Sequence, residues 1–287
     1  MSPHVVPYAW PVALYRLAES HDLVEPALIA AFDSWVDAGS AASSAAEQLA
    51  AGGDVVVTWD ADQIVDYRAR RPTLEIVDGR PGTLTWPELV VRRNRIGSRD
   101  VLVFTGPEPD YRWQELAASA VQMARDLGVV EWISLGSIPA AVPHTRSVTI
   151  MGTESRPGLL RGDVTPGPAG ILKVPAAAIS VLDMAVARAG IPTVGYFAQV
   201  PHYVTGAYPA AAMELLLAVG RHIGEEVPLG SLPGEAEMLR SRLDLDPPQN
   251  REVLDGRQHR APIELLLPLH DLIEHFGFVR FSLQLLV

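Results

Sequence analysis

A chain of 287 residues, 48% hydrophobic, 20% charged and 7% aromatic, has the composition of a globular protein of one large domain or two modest ones, which excludes a disordered or fibrous chain. Its 23 basic and 34 acidic residues leave a net charge of −11, which argues against nucleic acid as a general partner, because phosphate binding needs clustered cations. With no cysteine there is no disulfide framework, no thiolate nucleophile and no Cys-based metal site, and a reducing cytoplasm fits best.

Residues 1–11 lack the basic and apolar regions of a signal peptide. Residues 27–32 are wholly apolar and end at Asp33, and a helical pattern over 38–51 follows, so a buried strand, a loop and a helix are expected. Residues 55–59 and 73–77 are strand-like with no long helix between them, and Asp78-Gly79 is a turn signal, so these predict an antiparallel edge or hairpin excursion. The strand–loop–helix unit recurs at 100–105, 106–111 and 112–127, where Gly128 stops the helix. A further strand spans 129–135 and runs into Gly136. The pattern then predicts a tight turn at 167–170, a helix over 176–189, a strand over 192–200 and a helix over 207–220.

The apolar stretches 171–186 and 207–219 are broken well short of the ~20 residues a membrane span needs, so no membrane segment is expected. Apolar strands alternating with helices imply right-handed crossovers and a sheet covered on both faces, which is a three-layer α/β/α sandwich. This domain is expected over residues 1–224. Residues 225–287 are expected to be a helical extension, with helices near 233–243 and 263–275, a polar loop between them and an apolar run at 276–287.

Charge is uneven along the chain. Residues 68–99 hold eight arginines against Glu75, Asp78 and Glu88, a local +5, so the remainder carries −16. Such a segment is either a solvated face or a patch for an acidic protein.

In an open α/β sheet, ligands and partners meet the loops at the carboxyl ends of the strands, because helix N-termini and free N–H groups converge there. Those loops carry Asp33, Trp35 and Asp37; Gly106, Glu108, Tyr111, Arg112 and Trp113; Gly136; His144 and Arg146; and His202 and Tyr203. Asp33, Asp37 and Glu108 would serve as paired carboxylates for acid–base work or for a hard cation, but Asp37 also reads as a helix cap, and Asp110 as the cap of the next helix. His144 and His202 lack a second histidine at ligand spacing, and His270 and His275 are five apart, so no metal site is expected. No Gly-x-Gly-x-x-Gly, phosphate-loop or Gly-x-Ser-x-Gly motif occurs, and no cofactor is expected. Trp, Tyr and Arg together are the residue types of protein–protein hot spots, although each aromatic alone also fits a core position.

Five segments at these positions resemble the actinobacterial branch of the proteasome assembly chaperone 2 family. They are Ala31-Phe32-Asp33-Ser34-Trp35-Val36-Asp37-Ala38-Gly39, Asp66-Tyr67-Arg68-Ala69-Arg70-Arg71-Pro72, residues 106–113, His144-Thr145-Arg146 and Val200-Pro201-His202-Tyr203. The resemblance covers residues 10–245 and departs from the family pattern at Ser34 and in the apolar final dozen residues. It implies a phosphorylase/hydrolase-like α/β/α fold, a homo-oligomer with a trimer favoured, and a role in assembling or associating with the proteasome. The expectation is a non-enzymatic, oligomeric binding protein whose strand-end loops hold partner subunits. Two alternatives stand beside it: a phosphorylase- or hydrolase-type enzyme pairing Asp33, Asp37 or Glu108 with His144 or His202, and a structural oligomer whose loops bind only its own copies.

Overall fold

The computed structural model describes residues 14–18, 23–33 and 35–245. In chain order these form β1 (Tyr15–Leu17), β2 (Ala27–Asp33), a 3-10 turn (Ala38–Ser40) leading into α1 (Ala41–Ala50), β3 (Asp54–Trp59), a one-turn α2 (Ala61–Ile64), β4 (Thr73–Val77), β5 (Arg80–Thr85), β6 (Val90–Ile96), β7 (Arg99–Pro107), α3 (Trp113–Asp126), β8 (Glu131–Ala140), β9 (Ile150–Glu154), β10 (Thr165–Pro166), α4 (Ala178–Arg188), β11 (Thr193–Pro201), α5 (Pro209–Ile223) and α6 (Leu232–Leu245).

Nine strands make one sheet in the order β1-β3-β6-β7-β2-β8-β11-β9-β10. Its centre, β7-β2-β8-β11, is parallel; on one side β6 pairs antiparallel with β7 and β3 antiparallel with β6, and on the other β9 pairs antiparallel with β11. The parallel register fixes the geometry of the rim. Asp33 lies opposite Pro107 at the ends of β2 and β7, and Pro201 lies opposite Ala140 at the ends of β11 and β8. Four loops therefore leave the sheet along one edge.

Side chains alternate between the faces of a strand, so β2 feeds both cores with a continuous apolar run. Ala27, Ile29 and Ala31 join Ala42, Ala45 and Leu49 of α1 and Leu215, Leu216 and Val219 of α5. Leu28, Ala30 and Phe32 face the other way, toward Leu116, Ala120 and Met123 of α3 and Leu182 and Val186 of α4. The result is the expected α/β/α sandwich. On the second face Phe104 packs edge-on against Phe32 and stacks on Trp59. Fully burying one such side chain contributes roughly 1.5–3 kcal/mol, which is why loss of a single core residue is felt.

The structure refines the sequence reading at three places. The segment 55–59, expected with 73–77 in an antiparallel edge or hairpin excursion, is β3, paired antiparallel with β1 and β6 next to the edge of the main sheet. The hairpin itself is β4 against β5, closed by Asp78-Gly79 with φ of 48° and 75°, the left-handed pair that a two-residue hairpin turn requires. The stretch 171–176 is exposed irregular chain and α4 begins at Ala178, two residues later than expected. α6 packs on α5, and its Leu232 and Leu239 join the α1/α5 core. The helix expected over 263–275 and the apolar run 276–287 lie outside the described residues. No helix among the described residues is long and apolar enough to cross a membrane.

Candidate functional site

The rim at the carboxyl ends of β7, β2, β8 and β11 gathers the segments singled out in the sequence. Its carboxylates are mostly committed to the backbone. Asp37 Oδ1 accepts from the N–H groups of Ala42 and Ser43 at 2.8 and 3.2 Å, and its Oδ2 accepts from Ser43 Oγ at 2.5 Å. These N–H groups open α1, so Asp37 does the work of a cap from three residues before the helix-flanking Ser40. Burial pushes the Asp37 carboxyl above its usual pKa, against the hydrogen bonds from Ser43 and Ala42. Its backbone bridges Ser137 of β8, whose N–H donates to Val36 O at 2.7 Å, so the first loop is fastened to the neighbouring strand.

Glu108 Oε1 accepts from Ala178 N–H at 2.7 Å, capping α4 across 70 residues of sequence. Asp110 does not cap α3, as the sequence had suggested. It instead accepts from Asp66 N–H at 2.7 Å and pairs with Arg70 at 2.8 Å, tying the 66–72 loop to the rim. At the start of α3, Arg112 takes a left-handed conformation, φ 58°, with its guanidinium bonded to Gln63 and Glu115, and Trp113 Nε1 donates to Pro109 O at 2.6 Å. The Arg112 guanidinium depresses the Glu115 carboxyl pKa.

On the β8 and β11 side, His144 is buried. Its N–H donates to the Tyr203 hydroxyl at 2.7 Å, its Nδ1 is 2.8 Å from the same oxygen and its Nε2 is 3.1 Å from Asp244 Oδ1. With a neutral imidazole, one proton arrangement satisfies all three contacts. The hydroxyl accepts from the backbone and gives its own proton to Nδ1, and the Nε2 proton goes to Asp244. Burial raises the Tyr203 pKa, and through His144 this phenol links two loops to α6.

Two glycines are required by close approach. A Cβ on Gly106, whose φ is 146°, would stand 2.4 Å from Glu88 O, and one on Gly136 would stand 2.5 Å from Phe197 Cδ1. Asp33, Trp35, Tyr111, Arg146 and His202 are exposed, with Trp35 at 52% and Tyr111 at 51%. His202 N–H donates to Ala140 O at 3.0 Å.

No hydrogen bond or ion pair joins Asp33, Asp37 or Glu108 to His144 or His202 among the described residues; the carboxylate that His144 meets is Asp244. Asp37 and Glu108 hold helix N-termini and His144 holds Tyr203. Two surface cavities, of about 500 and 320 Å³, open at the opposite end of the sheet, around Leu217, Arg221 and Pro228 and around Gln48, Asn94 and Gly97. No group of three or more His, Asp or Glu placed to hold a metal ion occurs among the described residues.

Sequence reasoning missed several partners of this rim. Gln63 braces it from α2, and Asp244 closes on His144 from α6; neither carries a local signal, because each meets its partner 49 or 100 residues away, whereas Asp66 and Arg70, which tie the loop after α2 to Asp110, lie in a segment the family resemblance had marked. Also missed was the exposed strip of Ile171, Leu172 and Val174, which leads into the α4 N-terminus that Glu108 caps.

These features belong to a recognised class of fold. The PAC2 family pattern matches residues 31–245, and the chain belongs to the PAC2 family. A proteasome-assembly chaperone homologue from Mycobacterium tuberculosis is 32% identical, with 81% of this chain and 100% of that one covered at a TM-score of 0.74. A PAC2 family protein from Streptomyces avermitilis is 31% identical over 81% of this chain and 100% of that one, with a TM-score of 0.72. A protein of unknown function from Corynebacterium glutamicum is 27% identical over 84% and 93% of the two chains, with a TM-score of 0.77. No curated protein matches.

Proposed function

We propose that this chain is a non-enzymatic, chaperone-like binding protein of the cytoplasm that self-associates and receives a proteasome-related protein partner on the carboxyl rim of its sheet. Asp33, Trp35, Asp37, Gly106, Glu108, Tyr111, Arg112, Trp113, Gly136, His144, Arg146, His202 and Tyr203 build that rim, and residues 225–287 extend the α/β/α domain. The observation that carries the reading is the division of labour along the rim. Asp37, Glu108 and His144 are consumed in holding loops and helix starts, and the side chains left exposed, with Asp33 and His202, include the aromatic and arginine types, Trp35, Tyr111 and Arg146, that anchor protein contacts. Membership of the PAC2 family, and the description of the Mycobacterium tuberculosis relative as a proteasome-assembly chaperone homologue, support the choice of partner.

The test is recovery of the tagged protein from its native cell. Proteasome subunits should come with the wild type. Replacing Trp35, Tyr111 or Arg146 with alanine should lower their recovery about tenfold or more, each being an exposed anchor of the hot-spot type. Stability should stay within roughly 0.5 kcal/mol, as for other surface changes. Clean recovery of wild type without those subunits would count decisively against the reading.

A further inference from the structure

Between β10 and α4 the chain runs as an exposed strap. It is fastened at both ends: Gly167 N–H donates to Gly152 O of β9 at 2.8 Å, and Ala178 N–H donates to Glu108 Oε1. From 168 to 176 every residue is exposed, and no backbone hydrogen bond ties these residues to another described one. The middle of the strap is nonetheless apolar, with Ile171, Leu172 and Val174 at 92%, 50% and 66% exposure. A single exposed apolar side chain is ordinary, but three in four consecutive positions, on chain that no element covers, mark a contact surface. Backbone chemistry sets its ends. Gly170, with φ 87°, turns the chain before Ile171, and Pro175 holds Val174 toward extended conformations. A strap held at both ends and restricted in this way loses less freedom on binding than a free loop, and its N–H and C=O groups are open to a partner.

Charge names the kind of partner. Lys173, set among these apolar side chains, is the only lysine of the chain and the only charged residue between Asp163 and Asp183. It has no carboxylate partner among the described residues. An apolar slot with a carboxylate in its wall matches such a run. The strap of a second copy offers the same cation and no acid, and like charges brought together oppose pairing. One cation and three apolar side chains are also too little to hold a membrane surface, which takes a longer apolar face or a cluster of cations.

We propose that residues 171–174 are a docking strip that enters an apolar slot of a protein partner, where a carboxylate of that partner pairs with Lys173. The proposal adds a contact beyond the rim residues for the heterologous partner described above, and it rests on that reading for the partner's identity as a proteasome-related protein.

The single lysine makes the test clean. A carbodiimide joins an amine to a carboxylate only where the two are in contact, so treating the full chain, carrying a lysine-free tag, in extract of its native cell should link Lys173 to an Asp or Glu of a proteasome subunit, located by mass spectrometry of the joined peptides. Lys173→Arg keeps the charge but has no amine to acylate; it should lose this adduct and still recover the subunits. Ile171→Ser with Val174→Ser should leave the thermal midpoint unchanged, because both sites are exposed, and should lower both adduct and recovery at least about tenfold. Absence of an adduct through Lys173, or an adduct and recovery that the double serine variant leaves at the wild-type level, overturns the docking strip. If the subunits are recovered equally with all forms and nothing is joined to Lys173, the strip fails and the chaperone-like reading stands. If Lys173 is joined to a carboxylate of some other protein, and the double serine variant removes that adduct, the strip stands and the proteasome reading fails.

Discussion

The two ends of the central sheet solve the same electrostatic problem with opposite partners. At the carboxyl rim, helices α1, α3, α4 and α5 begin, and their N-termini present N–H groups and the positive end of the helix dipole. Carboxylates answer directly there: Asp37 and Glu108 bind backbone N–H groups with no cation between. At the amino end helices finish, and the acids pair with cations. Glu131 at the start of β8 lies 2.9 Å from Arg99 and 3.3 Å from His222 in the last turn of α5, and His222 Nδ1 meets the Tyr196 hydroxyl at 2.6 Å. Asp100 accepts from Val24 N–H at 2.9 Å and pairs with Arg93 at 3.3 Å. At the rim Asp37 and Glu108 are spent on helix starts beside the ion pairs Arg70–Asp110 and Arg112–Glu115, whereas at the amino end both Glu131 and Asp100 are matched by cations.

One group breaks the pattern and gives the largest expected effect. Asp183, in the middle of α4, accepts from Trp132 Nε1 at 3.0 Å and from Ser134 Oγ, with neither a helix start nor a cation beside it. Its carboxylate is enclosed although the residue keeps some surface, and burial pushes its pKa from 3.8 up to about 7, against those two hydrogen bonds. A pKa raised in the folded state stabilises the fold fully below the unfolded value and loses that contribution as pH rises through the folded one. Asp183→Asn should therefore be more stable than wild type at pH 8, by up to about 4 kcal/mol, and lose that advantage near pH 4. Denaturant midpoints at the two pH values measure this; a pH-independent difference would remove Asp183 as the exception.

Glu131 sharpens the amino-end side of the comparison. Burial opposes its ionisation, but the hydrogen bond and charge of His222 and the charge of Arg99 outweigh that and hold its carboxyl below the usual glutamate range. Glu131→Ala, which leaves Arg99 and His222 without their acid, should cost about 2–3 kcal/mol at pH 7. The sign is opposite to that of Asp183. The wild-type advantage is present above the ordinary value near 4.3 and fades as pH falls through the depressed one, which a pH series of unfolding curves would follow.

The rim carboxylate should matter least. Asp37→Ala should cost about 1–2 kcal/mol, the usual worth of a helix cap, and Asp37→Asn should recover much of it, because an amide oxygen also accepts from N–H groups. Restoration by asparagine, read from thermal midpoints, separates capping from a need for negative charge.

Much of this was legible beforehand, for reasons that can be named. The four parallel strands are largely apolar runs, and β2, β7 and β11 each precede a helical period, so the layers and the rim were legible from the pattern. Asp78-Gly79 marked the hairpin. β6 was not legible, because its charged Arg92, Arg93 and Arg95 obscure an alternation broken by a bulge in its pairing with β3. Short β9 and β10 carry too few residues for a period, and the Asp110–Arg70 and His144–Asp244 contacts depend on segments that only folding brings together.

The sequence by itself determined the sandwich and the order of its central units, because burial of a period-2 or period-3.6 apolar pattern leaves few ways to cover a sheet, and five short segments carried the resemblance to the family. Only the tertiary structure decided which rim acids hold helices and which side chains stay free, since a carboxylate's role depends on the N–H group or cation it meets. It also decided that the hairpin stands uncovered. Exposure belongs to the packed molecule and has no signature in a run of residues that would read the same in a core.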